Sequence, residues 1–556
     1  MEITHSQILI IGAGPVGLAL GCMFRLQGLD VRIIEKNSTT TPFSKAVGIH
    51  SRTLEQMHAL GIADKLVSQG RPLTQFSISE SNQKTLSASF ENIGSPYEFV
   101  LGLPQSKTES TLHARFIELG GSVEWETEII SIEDCGCPKG QNSLSEVVIR
   151  LPNGEKQKVT SHWLFGADGS RSSVREMADI AFPGGSYEKG FMLGDIKIDW
   201  DGDKDHLQFF LSKHGYLLLI PMPNGMHRVI AQTENRYEDF QKTDKPVATL
   251  QDLQAIVDRN GPGGIKLHSP EWLTCAPFYH RCAAQVRKGR ILLAGDSFHL
   301  FSPLGAQGLN TGFQDVFNIG WKVAFYEKGW GDLTLIDSYQ TERQAIADLV
   351  AKVTSKTTNY ITSTAWHKRL LRKCFTLCMN NTDKVQHTLP KLMAGMLQKY
   401  SVESLLVGKS GHQIPQAGER FPHAWIPQDE GYSPICDFLN GPEFTFVLVT
   451  PHLTDKAINH LHKIKQSLVN QIPFIKIMVI APKSNEISKL PSSIQFVEDR
   501  LGSMCNLAAN GHEASLLVRP DGICALTQNN WEQDSVTEYF TETGLLKNIT
   551  NQLKAA

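Results

Sequence analysis

Apolar residues near the start of the chain follow a strand–turn–helix–strand pattern. Ile8 to Ile11 form an unbroken apolar run, which is typical of a parallel strand buried on both faces. A glycine-rich stretch from Gly12 to Gly17 comes next, and a helical pattern from Leu18 to Gln27 then ends at Gly28. Val31 to Ile34 supply the second strand. This order predicts the opening half of a doubly wound α/β fold.

The pattern changes to long antiparallel strands in the middle of the chain and later returns to the first kind. Turn residues separate four predicted strands, at Phe191–Trp200, Leu207–Leu211, Tyr216–Ile220 and Arg228–Gln232. The α/β pattern of the first part resumes at Arg290–Ala294. Helical spacing dominates from Thr311 to about Val407, with a predicted break at Pro390. From about residue 441, strands alternate with helices, which predicts a small α/β unit.

Composition and charge exclude several classes of function. The 54 basic and 57 acidic side chains leave a net charge of −3, so the chain lacks the basic surplus of a nucleic-acid-binding protein. No apolar run approaches the roughly 20 residues that span a bilayer, and Met1 to Ile8 contain no basic leader. The ten cysteines form no CxxC pair, which predicts no metal site. We expect a cytoplasmic protein without nucleic-acid partners or stable membrane insertion.

The first motif that carries chemistry is Gly12-Ala13-Gly14-Pro15-Val16-Gly17, placed between a strand and a helix. Glycines at these positions allow a tight turn and a close approach of the backbone to a pyrophosphate, which the helix N-terminus attracts. Glu35-Lys36 follow the second strand, and the Glu35 carboxylate can accept hydrogen bonds from a ribose diol. The motif predicts dinucleotide binding, but it does not distinguish FAD from NAD.

The second motif, Gly295-Asp296 after a buried strand, leads into the glycine-rich loop Pro303 to Gly312. A carboxylate at the end of a strand and a second amide-rich loop before a helix suit the longer FAD molecule. A third motif, Phe165 to Arg175, brings Asp168-Gly169 into a Gly/Ser loop. Taken alone, Asp168-Gly169 is compatible with an ordinary Asp-Gly turn.

With these three motifs in this order, the chain resembles the flavin-dependent aromatic hydroxylases of the para-hydroxybenzoate and phenol hydroxylase group. Further matches are Pro104-Gln105, the run Asn318-x-Gly320-Trp321-Lys322, and Val518-Arg519-Pro520-Asp521-Gly522. The last run resembles the closing strands of a thioredoxin-like domain, although the segment has no CxxC. The resemblance implies a Rossmann-like FAD-binding domain (1–184 and 285–400), a β-rich substrate domain (185–284) and a thioredoxin-like C-terminal domain (410–556).

The resemblance also assigns roles to individual residues. Gly12, Gly14, Gly17 and Glu35 would bind the ADP half of FAD. Gln105 and Asp296 would lie along the ribityl chain, and Asp168 would serve both FAD and NAD(P)H. The predicted cofactor-binding residues are Gly12, Ala13, Gly14, Pro15, Gly17, Glu35, Lys36, Arg52, Gln105, Asp168, Gly169, Gly295, Asp296, Pro303, Gly308, Leu309 and Asn310, the last four facing the flavin ring.

Two residues are candidates for catalysis, because a phenolate reacts with an electrophilic oxygen better than a phenol does. Lys45 stands where many relatives carry an Arg close to the flavin, and His50 follows it in the same segment. A cation would stabilise the phenolate, while a neutral imidazole could accept its proton. The alternative is that both contact phosphate or solvent, and Tyr216, His214 and Tyr279 are then the next candidates. For His299 we favour a structural role in its loop.

By this resemblance the protein is an FAD- and NAD(P)H-dependent monooxygenase that hydroxylates a phenolic or polyketide-like substrate with O2 through a flavin hydroperoxide. The alternatives are an epoxidase or Baeyer–Villiger enzyme of the same family, and an FAD protein that shields a reactive metabolite without turnover. A halogenase is disfavoured, because Leu217-Leu218-Leu219-Ile220-Pro221 lacks the two tryptophans of the halogenase signature. The sequence leaves the oligomeric state open, with a homodimer as one option.

The β-rich segment is expected to form a sheet that roofs the flavin, because the reactive intermediate must be kept from water. Its inner face should be apolar. We expect Phe209, Leu211, Leu217, Leu219, Pro221 and Phe278 on that face.

Overall fold

The protein is described by a computed structural model. It covers residues 2–41, 46–80, 83–136, 143–187, 189–236, 248–302, 305–362, 383–401, 404, 406, 408, 415–469, 472–500, 502–509, 512–531 and 534–546.

The first layer is an eight-stranded sheet with a parallel centre. Its main order is β19-β20-β11-β1-β2-β8, and β10 and β9 attach at the side through β11. The strands are β1 (Ile3–Ile11), β2 (Val31–Ile34), β8 (Val123–Glu124), β9 (Glu128–Asp134), β10 (Ser145–Arg150), β11 (Lys156–Gly166), β19 (Arg287–Lys288) and β20 (Ile291–Leu293). The neighbours β20, β11, β1 and β2 are parallel to one another. Their apolar segments Ile8–Ile11, Trp163–Phe165 and Ile291–Leu293 are almost fully buried, as expected for a sheet covered on both faces.

The second layer is a seven-stranded sheet, here called the roof sheet, in the order β17-β13-β16-β15-β14-β5-β6. Its strands are β5 (Gln75–Glu80), β6 (Gln83–Ser89), β13 (Lys189–Asp199), β14 (Leu207–Leu211), β15 (Tyr216–Pro221), β16 (Met226–Arg236) and β17 (Lys266–Ala276). The four strands predicted between residues 191 and 232 are all present. The polar-rich strands β5 and β6 join them from the first part of the chain, which the sequence pattern did not indicate.

A third sheet, in the order β26-β25-β24-β27-β28, forms the C-terminal unit. Its strands are β24 (Phe444–Val449), β25 (Ile475–Ala481), β26 (Ile494–Glu498), β27 (Ala514–Val518) and β28 (Cys524–Gln528). The first three are parallel, and β27 and β28 add antiparallel strands beside β24. The remaining strands form three smaller sheets. One contains β3 (Gly48–Ile49), β4 (Arg71–Leu73) and β7 (Val100–Gly102), and another contains β12 (Gly184–Ser186), β18 (Tyr279–Cys282) and β21 (His299–Leu300). The third is the pair β22 (Trp425–Pro427) and β23 (Tyr432–Pro434).

Helices cover these sheets and join them. They are α1 (Pro15–Leu26), α2 (Ser51–Ala59), α3 (Ala63–Gln69), α4 (Gln105–Glu118), α5 (Ser173–Met177), α6 (Leu250–Asn260), α7 (Gln307–Glu327), α8 (Leu333–Thr362), α9 (Asp383–Met393), α10 (Cys436–Leu439), α11 (Asp455–Leu468), α12 (Ser503–Ala509) and α13 (Asp534–Glu542). The break predicted at Pro390 is wrong, because Pro390 lies in the last turn of α9 and the helix ends three residues later. Within the described ranges, no helix has the length and apolar character needed to cross a bilayer.

The C-terminal unit shares buried charge and apolar packing with α7 and α8. Glu342 of α8 accepts hydrogen bonds from Lys322 of α7 and from both terminal nitrogens of Arg519, at 2.7 to 3.0 Å, and all three side chains are fully buried. Trp321 of α7 packs edge-on against Phe444 at 5.4 Å. Two runs that carried the family resemblance, around Lys322 and Arg519, therefore meet at one buried junction.

Candidate functional site

Four adjacent strand ends place the sequence motifs side by side at one edge of the central sheet. In the order β20, β11, β1, β2, the strands lead into Asp296, Asp168, the glycine-rich turn and Glu35. Neighbouring strands lie about 4.7–4.9 Å apart, so the segments that follow them form a continuous row. The chain leaves β1 toward β2 on one side and returns as β11 on the other. Such a switch point is where open α/β sheets bind ligands.

Two glycines of the glycine-rich turn have no room for a side chain, and the third glycine has room for one. A Cβ on Gly12 (φ +105°) would lie 2.5 Å from the Ala167 carbonyl oxygen, and a Cβ on Gly17 would lie 1.9 Å from that of Gly12. At Gly14 an added Cβ would meet no described atom within 4 Å. Helix α1 starts here with Pro15 at its first turn and without a side-chain cap on Gly14. The turn therefore packs tightly against the neighbouring backbone at Gly12 and Gly17. It leaves space at Gly14, next to the helix N-terminus, as an anion site requires.

Glu35 ties this turn to the loop that follows β2. One carboxylate oxygen accepts the Ala13 N–H at 2.9 Å, and the other accepts the backbone and side-chain N–H groups of Asn37 at 3.0 and 2.5 Å. Lys36 beside it is exposed. The carboxylate thus lies at the turn, where the sequence placed it, and its bond to a ribose remains a prediction.

Asp168 holds its own loop together. Its carboxylate accepts the Ser172 hydroxyl at 2.5 Å and the Val174 N–H at 3.1 Å, at the start of α5. Burial raises the pKa of Asp168, although these hydrogen bonds oppose the rise. The geometry supports the Asp-Gly turn that the sequence left open as an alternative, and it leaves the role in cofactor binding as a prediction. A Cβ on Gly169 would meet no described atom within 4 Å, so this turn also faces open space.

Asp296 is exposed, whereas residues 290–295 and 297–299 around it are buried. The buried neighbours are fixed by Asp315 of α7, whose carboxylate accepts the Gly295 N–H at 3.0 Å, His299 Nε2–H at 2.8 Å and Arg343 Nε–H at 2.8 Å. Although burial alone would raise the pKa of Asp315, His299 and Arg343 hold it below its usual range. His299 is fully buried and stacks on Phe301. The expected structural role of His299 fits this geometry, since the histidine anchors the turn that presents Asp296.

A second helix N-terminus lies at the start of α7. Its N-cap, Ala306, has the left-handed backbone (φ 53°) and provides no side-chain cap. A Cβ on Gly308 would meet no described atom within 4 Å, and Leu309 is half-buried. Buried Asn310 joins this turn to the segment before α2, because its Nδ2 donates to the Gly48 carbonyl at 2.9 Å. Pro303 lies outside the described residues.

His50 is buried at the N-cap of α2 and holds the same loop. Its N–H donates to Asn310 Oδ1 at 2.9 Å, and its ring Nε2–H donates to the Gly305 carbonyl at 2.8 Å. Burial lowers the pKa of His50 to about 4, so the ring is neutral at physiological pH. Its Nδ1 has no hydrogen-bond partner among the described residues. The catalytic role of His50 remains a prediction, and Lys45, the other candidate, lies outside the described residues.

Gln105 and Arg52 have defined partners. Gln105 Oε1 accepts the Ala46 N–H at 3.0 Å and its Nε2–H donates to Glu109 at 2.7 Å, so it anchors the segment that follows Lys45. Arg52 donates to Glu55 and to the Asp521 carbonyl, both at 2.9 Å, so its guanidinium contacts the C-terminal unit. Binding of FAD by either residue remains a prediction.

The roof sheet has two apolar faces, and the expected inner face was partly wrong. Phe209, Leu211 and Phe278 belong to a cluster that also contains Val47, Val100 and Met396, on the side of the flavin motifs. Leu217 and Leu219 belong to the opposite cluster, under α6. In β15 the residues on the inner side are Tyr216, Leu218 and Ile220. The strand was predicted correctly, but its side chains are shifted by one position.

Tyr216 is the polar group that the sequence did not single out on this inner face. Its side chain is fully buried near Phe191, at 5.8 Å between ring centroids, and Phe191 lies 4.4 Å from Phe278. The Tyr216 hydroxyl has no hydrogen-bond partner among the described residues, and burial raises its pKa. The sequence named Tyr216 only as a reserve base, because an all-apolar strand gives no sign of which side chains face inward.

Comparison with known proteins places these motifs in a family. Residues 5–354 match the FAD binding domain family. The chain is 32% identical to 6-methylpretetramide 4-monooxygenase of Streptomyces rimosus over 62% of this chain and 60% of that one. It is 27% identical to pentachlorophenol 4-monooxygenase of Sphingobium chlorophenolicum over 86% of both chains. It is also 32% identical to dialkyldecalin synthase of Streptomyces rugosporus, over 61% of this chain and 69% of that one.

Solved structures extend the likeness to the whole fold. CabE, an aromatic hydroxylase from angucycline biosynthesis, superposes with a TM-score of 0.74 at 23% identity, covering 97% of this chain and 99% of that one. The flavin-dependent monooxygenase PieE, solved with FAD and substrate, gives 0.76 at 18% identity, covering 98% and 99%. The strand-end row, the two uncapped helix N-termini and the family match agree with one another, and the chain belongs to the FAD binding domain family that includes the aromatic monooxygenases.

Proposed function

We propose that the protein is an FAD- and NAD(P)H-dependent monooxygenase that hydroxylates an aromatic, phenolic or polyketide-like substrate. The observation that carries this proposal is the row of four parallel strand ends, which brings the glycine turn, Glu35, Asp168 and Asp296 to one edge of the sheet. The relatives that act on 6-methylpretetramide and pentachlorophenol support an aromatic substrate.

The residues present fit FAD. Gly14, Gly169 and Gly308 are the three predicted cofactor positions at which a Cβ would meet no described atom within 4 Å, so the backbone leaves room for a ligand at each loop. The N-terminus of α1 would hold the pyrophosphate and Glu35 the ribose. Asp296 would accept hydrogen bonds from ribityl hydroxyls, and the first turn of α7 would lie against the flavin ring. Bound FAD would supply the activation of O2, which side chains cannot perform.

The chain itself would orient the substrate and exclude water. The inner face of the roof sheet is apolar and is closed by Phe191 and Phe278, which suits a flat aromatic ring. The Tyr216 hydroxyl would remain protonated near neutral pH and would therefore donate a hydrogen bond to a substrate oxygen. His50 is already committed as a donor to Gly305, so only its Nδ1 lone pair could accept a proton.

The test is turnover by the purified holoprotein. Acid precipitation should release FAD into the supernatant, and a phenol or polyketide phenol should accelerate NAD(P)H oxidation. The product should contain one oxygen atom from ¹⁸O2. Absence of flavin, or failure of every phenolic compound to accelerate oxidation and yield a labelled product, would contradict the proposal. Ring cleavage or ester formation would favour the epoxidase or Baeyer–Villiger alternative.

A second candidate function is binding and shaping of a reactive substrate without net oxidation. The likeness to dialkyldecalin synthase favours this candidate, because that relative is not named as a monooxygenase. It predicts that substrate binds to the FAD-loaded protein, that product forms without consumption of NAD(P)H, and that ¹⁸O2 leaves no label. The same assay therefore separates the two functions.

Finer features of the molecule are also proposed. The C-terminal unit would be thioredoxin-like, since β24, α11 and β25 form a parallel βαβ unit that the hairpin β27–β28 and α13 complete. Its lack of CxxC makes it a structural domain. The domain boundaries 1–184, 185–284, 285–400 and 410–556 and a cytoplasmic location remain proposals, and so does a homodimer.

A further inference from the structure

Helix α2 presents a polar strip to the C-terminal unit. Arg52, Glu55 and His58 are spaced three residues apart and therefore share one face of the helix. Arg52 donates to the Asp521 carbonyl at 2.9 Å, and Arg420 donates to Glu55 at 3.1 Å. His58 at the end of the strip contacts Asp437 of α10 through its Nε2.

Three chemically different side chains that can bind a metal ion lie close together at the His58 end of α2. His58, Cys436 and Asp437 each offer one ligand atom, and these atoms all lie within 4.8 Å of one another. His58 lies far in sequence from the adjacent pair Cys436 and Asp437, so no local spacing could reveal the cluster, and the sequence accordingly predicted no metal site. His58 and Cys436 are half-buried, while Asp437 is exposed, which leaves one side open to water.

A tyrosine hydroxyl outside the cluster contacts one of its three residues. The other ring nitrogen of His58 lies 3.1 Å from the Tyr97 hydroxyl, so this hydroxyl can fix the ring orientation from outside the cluster.

We propose that His58, Cys436 and Asp437 bind a zinc ion, with water as a fourth ligand, and that the ion clasps α2 to the C-terminal unit. A thiolate, an imidazole and a carboxylate are the ligand types that Zn²⁺ takes, whereas Mg²⁺ and Ca²⁺ prefer oxygen ligands alone. Binding releases the thiol proton to solvent. The clasp lies at one end of α2, and His50 at the other end holds the loop predicted to face the flavin.

Equilibrium dialysis of the chelator-treated holoprotein against Zn²⁺, with metal analysis, tests the site. The expected result is one zinc per chain, retained in excess Mg²⁺, together with a higher melting temperature. Cys436→Ser and Asp437→Asn should lose stoichiometric binding while keeping their FAD. Tyr97→Phe should weaken binding by roughly 10–100-fold, the usual effect of removing a group that orients a ligand. Cys135→Ser, which removes a half-buried thiol elsewhere, is the matched control and should bind like wild type.

Cobalt substitution gives a second readout. The difference spectrum between Co²⁺-loaded and metal-free protein should contain a thiolate-to-cobalt band that Cys436→Ser lacks. Failure of the wild type to take up zinc, equal uptake by Cys436→Ser and wild type, displacement of zinc by Mg²⁺, or a cobalt complex without a thiolate band would each overturn the proposal.

Discussion

At the scale of single residues, the acids at the strand ends differ in their exposure and in what surrounds them. Asp168 is committed to Ser172 and Val174, and Glu35 to Ala13 and Asn37. Asp296 differs from both, because its neighbours are buried and it is exposed. Asp168 therefore stabilises its own loop, while the side chain of Asp296 lies at the surface, where a ligand can reach it.

This difference predicts opposite effects of two alanine substitutions. Asp296→Ala should weaken FAD binding by about 1.5–3 kcal/mol, the value of a charge-assisted hydrogen bond, and should change the apoprotein's melting temperature less than Asp168→Ala does, because Asp296 is exposed. Asp168→Ala should lower the apoprotein's stability by about 1 kcal/mol, because the Ser172 hydroxyl and the Val174 N–H lose their acceptor, with a smaller loss of FAD affinity. Flavin fluorescence titration and thermal unfolding measure the two quantities. Equal FAD affinity of wild type and Asp296→Ala would contradict the assignment.

His50 predicts a pH dependence of stability. Its pKa is about 4 in the folded protein against an ordinary 6.5, so the unfolded chain binds more protons between these values. Stability should therefore fall as pH is lowered from 6.5 to 4, by about 3 kcal/mol from this residue. His50→Gln should flatten the profile of unfolding free energy against pH over that window.

Two other histidines serve as comparisons in the same measurement. His423, whose pKa is also lowered to about 4 by burial, should contribute in the same direction, so some slope should persist in His50→Gln. Exposed His5 is the matched control, and His5→Gln should reproduce the wild-type profile. An unchanged slope in His50→Gln would show that the residue is solvated in the folded protein.

Tyr216 predicts a separation of stability from substrate binding. Tyr216→Phe removes a buried hydroxyl that has no partner among the described residues, so stability should be equal or up to about 1–3 kcal/mol higher. If this hydroxyl donates to the substrate, KM should rise while the rate of flavin reduction at saturating substrate stays the same. Tyr432→Phe, exposed on β23 of the C-terminal unit, is the control. Lower stability with unchanged KM would instead assign the hydroxyl to the fold.

At the scale of elements, the sequence was sufficient to predict turns, strands and their faces wherever polar and apolar positions differ clearly along the chain. The glycine turn between β1 and α1 was predicted, because Gly12 and Gly17 leave no room for a side chain. Strand β15 has apolar side chains on both faces, so its limits were readable but its phase was not. Only the packing of α6 on one side determines that Leu217 faces away from the flavin motifs.

Strands without an apolar run could not be predicted, because they too lack a clear contrast between polar and apolar positions. Strands β5 and β6 are short and rich in Ser and Gln, and only their pairing with β14 and with each other makes them strands. The contacts of Asp315 with His299 and Arg343 join positions far apart in the chain, so no local pattern could predict them.

At the scale of the whole molecule, the buried charge at Glu342 determines how the C-terminal unit is attached. Burial alone would raise the pKa of Glu342, but Arg519 and Lys322 hold it well below its usual range. Removing one member of such a group leaves the others buried without compensation.

Glu342→Gln should therefore destabilise the protein by about 3–5 kcal/mol and should separate the unfolding of the C-terminal unit from that of the rest. Calorimetry would show two transitions in place of one. The matched control is Lys489→Ala, which breaks an ion pair with Asp455 on an exposed surface of the same unit and should leave the scan unchanged. A single transition at the wild-type temperature in Glu342→Gln would show that the ion pairs do not join the units.

The strand order of the central sheet also has a consequence for synthesis on the ribosome. β1 ends at Ile11, its neighbour β11 ends at Gly166, and β20 completes the row only at Leu293. At roughly 5–20 residues per second, about 15–60 s pass between the emergence of the first and last of these strands. For about the last 6–25 s of that interval Leu164 and Phe165, fully buried in the finished protein, lie on a strand whose outer neighbour has not yet been made. The nascent chain is therefore a natural client for chaperones, and the flavin site can form only after more than half of the protein has been translated.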